Sequence, residues 1–274
     1  MGDRETFLFD SEGAALLGVA DVPAARQATG LLIVTGGPQY RVGSHRMFTL
    51  LARYAAQHNF ACMRFDFRGS GDSVGERRGF EDLAPDITAA VAEFQRRVPE
   101  LERVVLLGLC DGASAVLINA ASIPSVSGLI LLNPWVHTEG SRERARLRSY
   151  YPAQLLSLTF WKRLLTGKVR IGDSLKGLQH DLQSRYSAAE PFLEEMLAGM
   201  RNFNGPALVL LSQNDLTAQE FRDLLESSAQ WRDAFAGDQV RRIDIAEANH
   251  TFSQANWREE VFAHCADFLQ SCKN

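Results

Sequence analysis

Four cysteines in a chain of 274 residues are too few for a disulfide framework. No apolar, charge-free run reaches the roughly 18 residues of a membrane span, so no transmembrane segment is expected. The opening residues Met1-Gly2-Asp3-Arg4-Glu5 lack the apolar stretch of a secretory signal, and a reducing cytoplasm is the expected location. Neither sign of charge is in excess. The 29 Lys and Arg stand against 33 Asp and Glu, a net charge of −4, which gives no electrostatic footprint for nucleic acid. The phosphate loop G-x-x-x-x-G-K-[ST] is missing, and no Cys, His, Asp or Glu cluster has metal-ligand spacing. Arg68-Gly69-Ser70-Gly71-Asp72-Ser73 approaches a dinucleotide fingerprint but puts Val74 where the third glycine belongs. Neither a metal nor a cofactor is therefore expected, and the oligomeric state is not readable. Internal repeats and low-complexity linkers are absent too.

What is present is material for a large core. The chain is 46% apolar and 23% charged, and its length suffices to bury about three quarters of the unfolded surface. Apolar runs alternate with helical periodicities. Leu31–Val34, Ala61–Asp66, Val104–Leu107, Leu129–Leu132, Ala207–Leu211 and Arg242–Ile245 read as strands. The fully apolar ones fit a parallel sheet covered on both faces. Between them, Met47–Ala55, Ile87–Val98, Gly112–Leu117 and Trp257–Leu269 read as helices. A further helix carries Phe221, Leu224, Leu225, Ser228, Trp231 and Phe235 on one stripe, opened by a capping box of Thr217 and Glu220. Thr6–Phe9 and Ala14–Ala20 suggest an antiparallel edge hairpin. The fold class is α/β, a mainly parallel, doubly wound sheet. Residues 135–203 interrupt the rhythm with helical patches and many arginines. That stretch is too long for a plain loop and is expected to form a helical cap, leaving 1–134 and 204–274 as the body.

Gly108-Leu109-Cys110-Asp111-Gly112 is the sharpest signal. It sits between an apolar strand and a helix of small residues and matches the nucleophile elbow G-x-S-x-G, with Cys for Ser. A strained strand-to-helix turn needs neighbours without bulk, and the helix N-terminus favours a thiolate. A thiol nucleophile needs a base, and the base an orienter. His250 and Asp215 each follow a predicted strand, in the order nucleophile, acid, histidine. His58 and His264 fall on helices, and His137 and His180 in the cap, where they fit the role less well. An oxyanion hole is expected from the N–H of Asp111 and, within Thr35-Gly36-Gly37-Pro38, from the N–H of Gly37, since Pro38 has none. Gln39, Arg41 and His45, just beyond that loop, and Trp135 are candidates for substrate contact.

These residues resemble the α/β-hydrolase superfamily over nearly the whole chain. The Gly36-Gly37 loop, Arg64-Phe65-Asp66-Phe67-Arg68-Gly69-Ser70-Gly71-Asp72-Ser73, the Cys110 elbow, Asp215 and His250 carry the likeness. More narrowly, Gly36–Arg46 and Gly108–Ala113 are similar to the exosortase A system-associated hydrolases. That resemblance implies a bacterial protein encoded near exopolysaccharide and protein-sorting genes. Two departures from the commoner superfamily pattern are Cys for Ser, as in dienelactone hydrolases, and Thr35 where many members have His. The leading expectation is a hydrolase of carboxylic esters or thioesters working through a Cys-His-Asp triad and a covalent acyl-enzyme on a small-molecule acyl substrate. A second reading is an acyltransferase with the same triad. A third is a non-catalytic binding protein with a retired site, against which the joint presence of Cys110, Asp215 and His250 argues.

Overall fold

The computed structural model describes residues 2–37, 39–137 and 191–272. Eight strands form one sheet: β1 (Asp3–Ser11), β2 (Ala14–Val22), β3 (Thr29–Val34), β4 (Cys62–Phe65), β5 (Arg103–Leu109), β6 (Val126–Leu132), β7 (Ala207–Ser212) and β8 (Val240–Ile245). Their order is β1-β2-β4-β3-β5-β6-β7-β8. β1 and β2 pair antiparallel, β2 meets β4 antiparallel, and every later pair is parallel. The expected edge hairpin is thus present, with β1 starting earlier than its weak alternation suggested.

Successive strand residues point to opposite faces, and both faces are dry. Leu32, Val34, Leu106, Leu129, Leu131 and Val209 join one apolar cluster. Leu31, Ile33, Val105, Leu107, Ile130 and Leu208 join the other. Helices cover both layers: α1 (Met47–Gln57) and α7 (Ala255–Ser271) on the second face, α2 (Ala84–Arg97), α3 (Asp111–Asn119), α4 (Pro191–Asn202), α5 (Leu216–Ser227) and α6 (Ala229–Ala234) toward the first. A fully buried Leu, Ile or Val side chain contributes about 1.5–3 kcal/mol. The apolar runs therefore decide the sheet.

Three expectations need correction. The helix foreseen from Thr217 to Phe235 is two helices, because Ser228 takes an extended conformation between α5 and α6. The cap of α5 is Asp215, whose carboxylate accepts the Ala218 N–H at 3.1 Å, and not the Thr217–Glu220 box. Glu220 is buried instead, its carboxylate accepting from His137 Nδ1–H at 3.1 Å. Finally, α4 lies inside the stretch assigned to a cap, yet it belongs to the body. Met196 and Met200 are buried in the first cluster, and a Cβ on Gly199 would come within 1.9 Å of the Leu117 carbonyl oxygen on α3. The remainder of that assignment, 138–190, lies outside the described residues, as does His180.

One buried ion pair ties the hairpin to the loop after β4. Arg68 donates through its backbone N–H, Nε and Nη2 to Asp86 at 2.7–2.9 Å, and Ser11 Oγ donates to the same carboxylate at 2.7 Å. Both side chains are almost inaccessible, at 7% and 1%. Truncating Asp86 leaves the inaccessible Arg68 with the exposed Glu12 carboxylate, at 3.3 Å, as its charged partner. Asp86→Ala is expected to lower the unfolding free energy by about 3–5 kcal/mol, read by urea denaturation. A loss below about 1 kcal/mol, the value of an exposed pair, would refute this.

Candidate active site

Register brings the strand ends to one edge. Val34 stands opposite Gly108, Leu109 opposite Leu132, Leu132 opposite Leu210, and Ser212 opposite Ile245. The loops after β3, β5, β6, β7 and β8 therefore open on the same side, where α/β sheets place their sites.

Cys110 occupies the turn between β5 and α3 with φ 61° and ψ −128°, a region that non-glycine residues rarely visit. Its flanking glycines are sterically required. A Cβ on Gly108 would lie 2.3 Å from the Gly112 oxygen, and one on Gly112 would lie 2.7 Å from the Val34 oxygen. The side chain of Cys110 is half-buried, whereas Cys62, Cys265 and Cys272 are buried and free. Burial pushes the Cys62 and Cys265 thiols well above the ordinary range and that of Cys272 up to about 11, which leaves them inert.

His250 meets Asp215 from the neighbouring loop, with Nδ1 2.8 Å from Oδ2. With Nδ1 so occupied, Nε2 is the ring nitrogen left to serve Cys110, which acts on the ring electrostatically. Burial alone would favour the neutral ring. The Asp215 hydrogen bond and the charges of Asp215 and Cys110 outweigh it, and the imidazole is pushed up to about 10. The structure thus brings Cys110, His250 and Asp215 into one chain of contacts. Asp215 is shared: the same Oδ2 accepts the Ala218 N–H.

Asn133, which sequence reasoning passed over, sits beneath this chain. It is fully buried, with φ 44°. Its Nδ2 donates to the His250 carbonyl at 3.0 Å and to Ser212 Oγ at 2.9 Å, while its Oδ1 accepts the Ser212 N–H at 2.7 Å. Ser212 Oγ passes the contact on to the Asn249 carbonyl at 2.9 Å. One side chain thereby joins the ends of β6 and β7 to the loop bearing the histidine. The only sequence signal was an Asn directly after an apolar strand, which also reads as an ordinary turn residue.

Of the two N–H groups expected to form the oxyanion hole, that of Gly37 is taken up by an anion of the protein itself, the Asp111 carboxylate. Gly37 N–H donates to Asp111 Oδ2 at 2.7 Å and Gly112 N–H to Oδ1 at 3.0 Å. Burial raises the Asp111 carboxyl above the usual range, while the Gly37 and Gly112 N–H groups and the charge of Arg77 pull the other way. A Cβ on Gly36 would lie 2.0 Å from Asp111 Oδ1 and 2.5 Å from the Gly112 nitrogen, so only glycine fits there.

The other candidates divide. The guanidinium of Arg41 is held by the loop after β4. It pairs with buried Asp66 and with Asp72, and its backbone N–H donates to Asp66 Oδ1 at 2.6 Å. His45 is exposed on a 3₁₀ turn with φ 53°. Gln39 is anchored by its backbone to Gly36 and Ser70, while its Oε1 is buried without a hydrogen-bond partner among the described residues. Trp135 adjoins the elbow: its N–H donates to the Cys110 carbonyl at 3.2 Å and its own carbonyl accepts from Ser114 Oγ at 2.7 Å. Among the described residues no cluster has the make-up of a metal site, and no helix is long and apolar enough to cross a membrane.

The sequence profile of the alpha/beta hydrolase family matches residues 31–264. A polyketide transferase, grgF, from a Penicillium species is 27% identical over 126 residues, covering 44% of this chain and 42% of that protein. The chain thus matches less than half the length of this curated relative. Solved structures agree over more of the chain. The Pyrococcus furiosus esterase Pf2001 superposes with a TM-score of 0.69 at 16% identity, covering 100% of this chain and 94% of that one. A thermostable carboxyl esterase from Bacillus coagulans gives 0.68 at 14% identity, covering 100% of both. The Penicillium hydrolase GrgF gives 0.65 at 18% identity, covering 99% of both. With the family profile spanning most of its length and the strand order of that fold, the chain belongs to the alpha/beta hydrolase family.

Proposed function

We propose that the protein is an acyl-transferring hydrolase that cleaves carboxylic esters or thioesters through a covalent thioester on Cys110. The observation that carries this reading is the contact chain from Asp215 through His250 to a cysteine held in a strained elbow. The Cys110 sulfur attacks the acyl carbonyl while His250 holds the proton. Asp215 keeps Nδ1 of the ring fixed and stabilises the imidazolium. Backbone N–H groups of Gly37 and Asp111 receive the oxyanion. His250 then protonates the departing oxygen or sulfur. Water, deprotonated by the same ring, releases the acid and restores the thiol. Brief mixing with p-nitrophenyl butyrate, acid quenching and peptide mass mapping should place a butyryl group on Cys110. Turnover with no acyl group ever found there would sink the covalent route.

The proton on His250 has a measurable consequence. Its affinity is raised, so the imidazolium persists through neutral pH and is lost as pH rises through about 10. An ethyl ester, whose alkoxide must be protonated to leave, should lose kcat/KM over that rise. A p-nitrophenyl ester, whose leaving group needs no proton, should show no such limb. Parallel profiles for the two esters would contradict the assignment of His250 as the acid.

Acyl transfer to an alcohol is a second reading, favoured by the likeness to a protein named a polyketide transferase. It differs only in the acceptor that replaces water, and product analysis with glycerol or a sugar present separates the two. The likeness of Gly36–Arg46 and Gly108–Ala113 to exosortase-associated hydrolases supports extending the proposal to acyl groups carried on or destined for exopolysaccharide.

A further inference from the structure

We propose that the Asp111 carboxylate is an internal stopper of the oxyanion hole, which substrate must displace before acylation. The inference rests on the acyl-hydrolase reading and refines it. Two backbone N–H groups from two loops, those of Gly37 and Gly112, already satisfy one carboxylate. The carboxylate lies tight against the loop after β3, where a Cβ on Gly36 would come within 2.0 Å of Oδ1. An ionised acceptor bonds such donors more strongly than a neutral ester carbonyl does. A tetrahedral oxyanion also cannot form beside a fixed negative charge without repulsion.

The carboxylate has somewhere to go. Arg77, exposed on the loop after β4, donates through Nη2 to the Gly37 carbonyl at 2.7 Å, and its charge reaches Asp111. Rotation about the Asp111 side chain exchanges backbone donors for that guanidinium and frees the Gly37 N–H for the oxyanion. The loop after β3 contributes only backbone here, Arg77 is the facing charge, and Cys110 with His250 beyond it are the neighbouring titratable groups. Displacement draws on binding energy from parts of the substrate remote from the carbonyl, so small esters react slowly while the full substrate does not.

Asp111→Ala keeps the backbone N–H and removes the stopper. Its kcat/KM for p-nitrophenyl acetate should rise about tenfold or more above wild type, with Asp111→Asn between the two, since the amide still accepts but carries no charge. The advantage of Asp111→Ala over wild type should shrink as pH falls and the carboxyl takes up a proton, whereas its ratio to Asp111→Asn stays flat. Amide proton shifts give a readout independent of turnover. The Gly37 and Gly112 signals should titrate with the carboxyl in wild type and not in Asp111→Asn. Asp111→Ala no faster than wild type at any pH, or a Gly37 amide that does not titrate, would overturn the proposal. Failure of the acyl-hydrolase reading is distinct, because esterase turnover would then survive Cys110→Ala while the amide titration is unaffected.

Discussion

Cys110→Ala is expected to lower kcat/KM for short p-nitrophenyl esters by about 10⁴-fold to 10⁶-fold, the range seen when the nucleophile of a triad is removed. The loss is that large because each later step needs the thioester: without sulfur there is no acyl-enzyme for water to attack, and the oxyanion donors have no tetrahedral adduct to hold. The protein should stay folded. Cys110 is half-buried, and its removal leaves the Gly108 and Gly112 contacts that shape the turn intact. His250 should titrate lower in the variant, since the Cys110 contribution to its raised affinity is gone while that of Asp215 remains. Iodoacetamide supplies the companion measurement. Near neutral pH it should label wild type once and the variant not at all, because the other three thiols are buried. Ester turnover in Cys110→Ala equal to wild type would remove the basis of the catalytic assignment.

Much of this site could be read from the chain because its constraints are local. The elbow needs two glycines at fixed spacing around a strained residue, and Gly108, Cys110 and Gly112 stand in sequence as they stand in space. The buried strands were equally legible, since a sheet covered on both faces demands apolar runs. What escaped depends on contacts distant in sequence. Arg41 reads as a free cation beside a glycine loop until Asp66 and Asp72 close around it. Asn133 reaches residues 79 and 117 positions away, and nothing in its neighbourhood announces that. The role of Asp111 was half legible. Its N–H follows from its place after the nucleophile, but where its carboxylate turns depends on the loop after β3. Asp215 shows how a local rule can mislead: Thr217 and Glu220 have capping-box spacing, yet an acid one residue before the helix takes the cap and faces His250 as well.

That double duty allows chemistry and stability to be separated at one position. Asp215→Asn should cost about 10⁴-fold in kcat, the magnitude found when the orienting acid of a triad is made an amide. An amide NH₂ cannot accept from Nδ1–H, and an amide oxygen carries no charge to hold an imidazolium, so the ring loses both tautomer and proton affinity. The sign is definite: His250 should titrate lower in the variant, since Asp215 supplies both the leading hydrogen bond and a charge that raise it. The fold should hardly notice, because Asn caps a helix as well as Asp does and its oxygen can still accept the Ala218 N–H. Asp215→Ala should match the kinetic loss and add about 1 kcal/mol of destabilisation from the uncapped α5. Kinetics and urea unfolding on the two variants therefore give a paired signature, equal in rate and unequal in stability. Full activity in Asp215→Asn would mean that His250 is oriented by its loop alone, through Asn133, and that the carboxylate serves the helix and not the reaction.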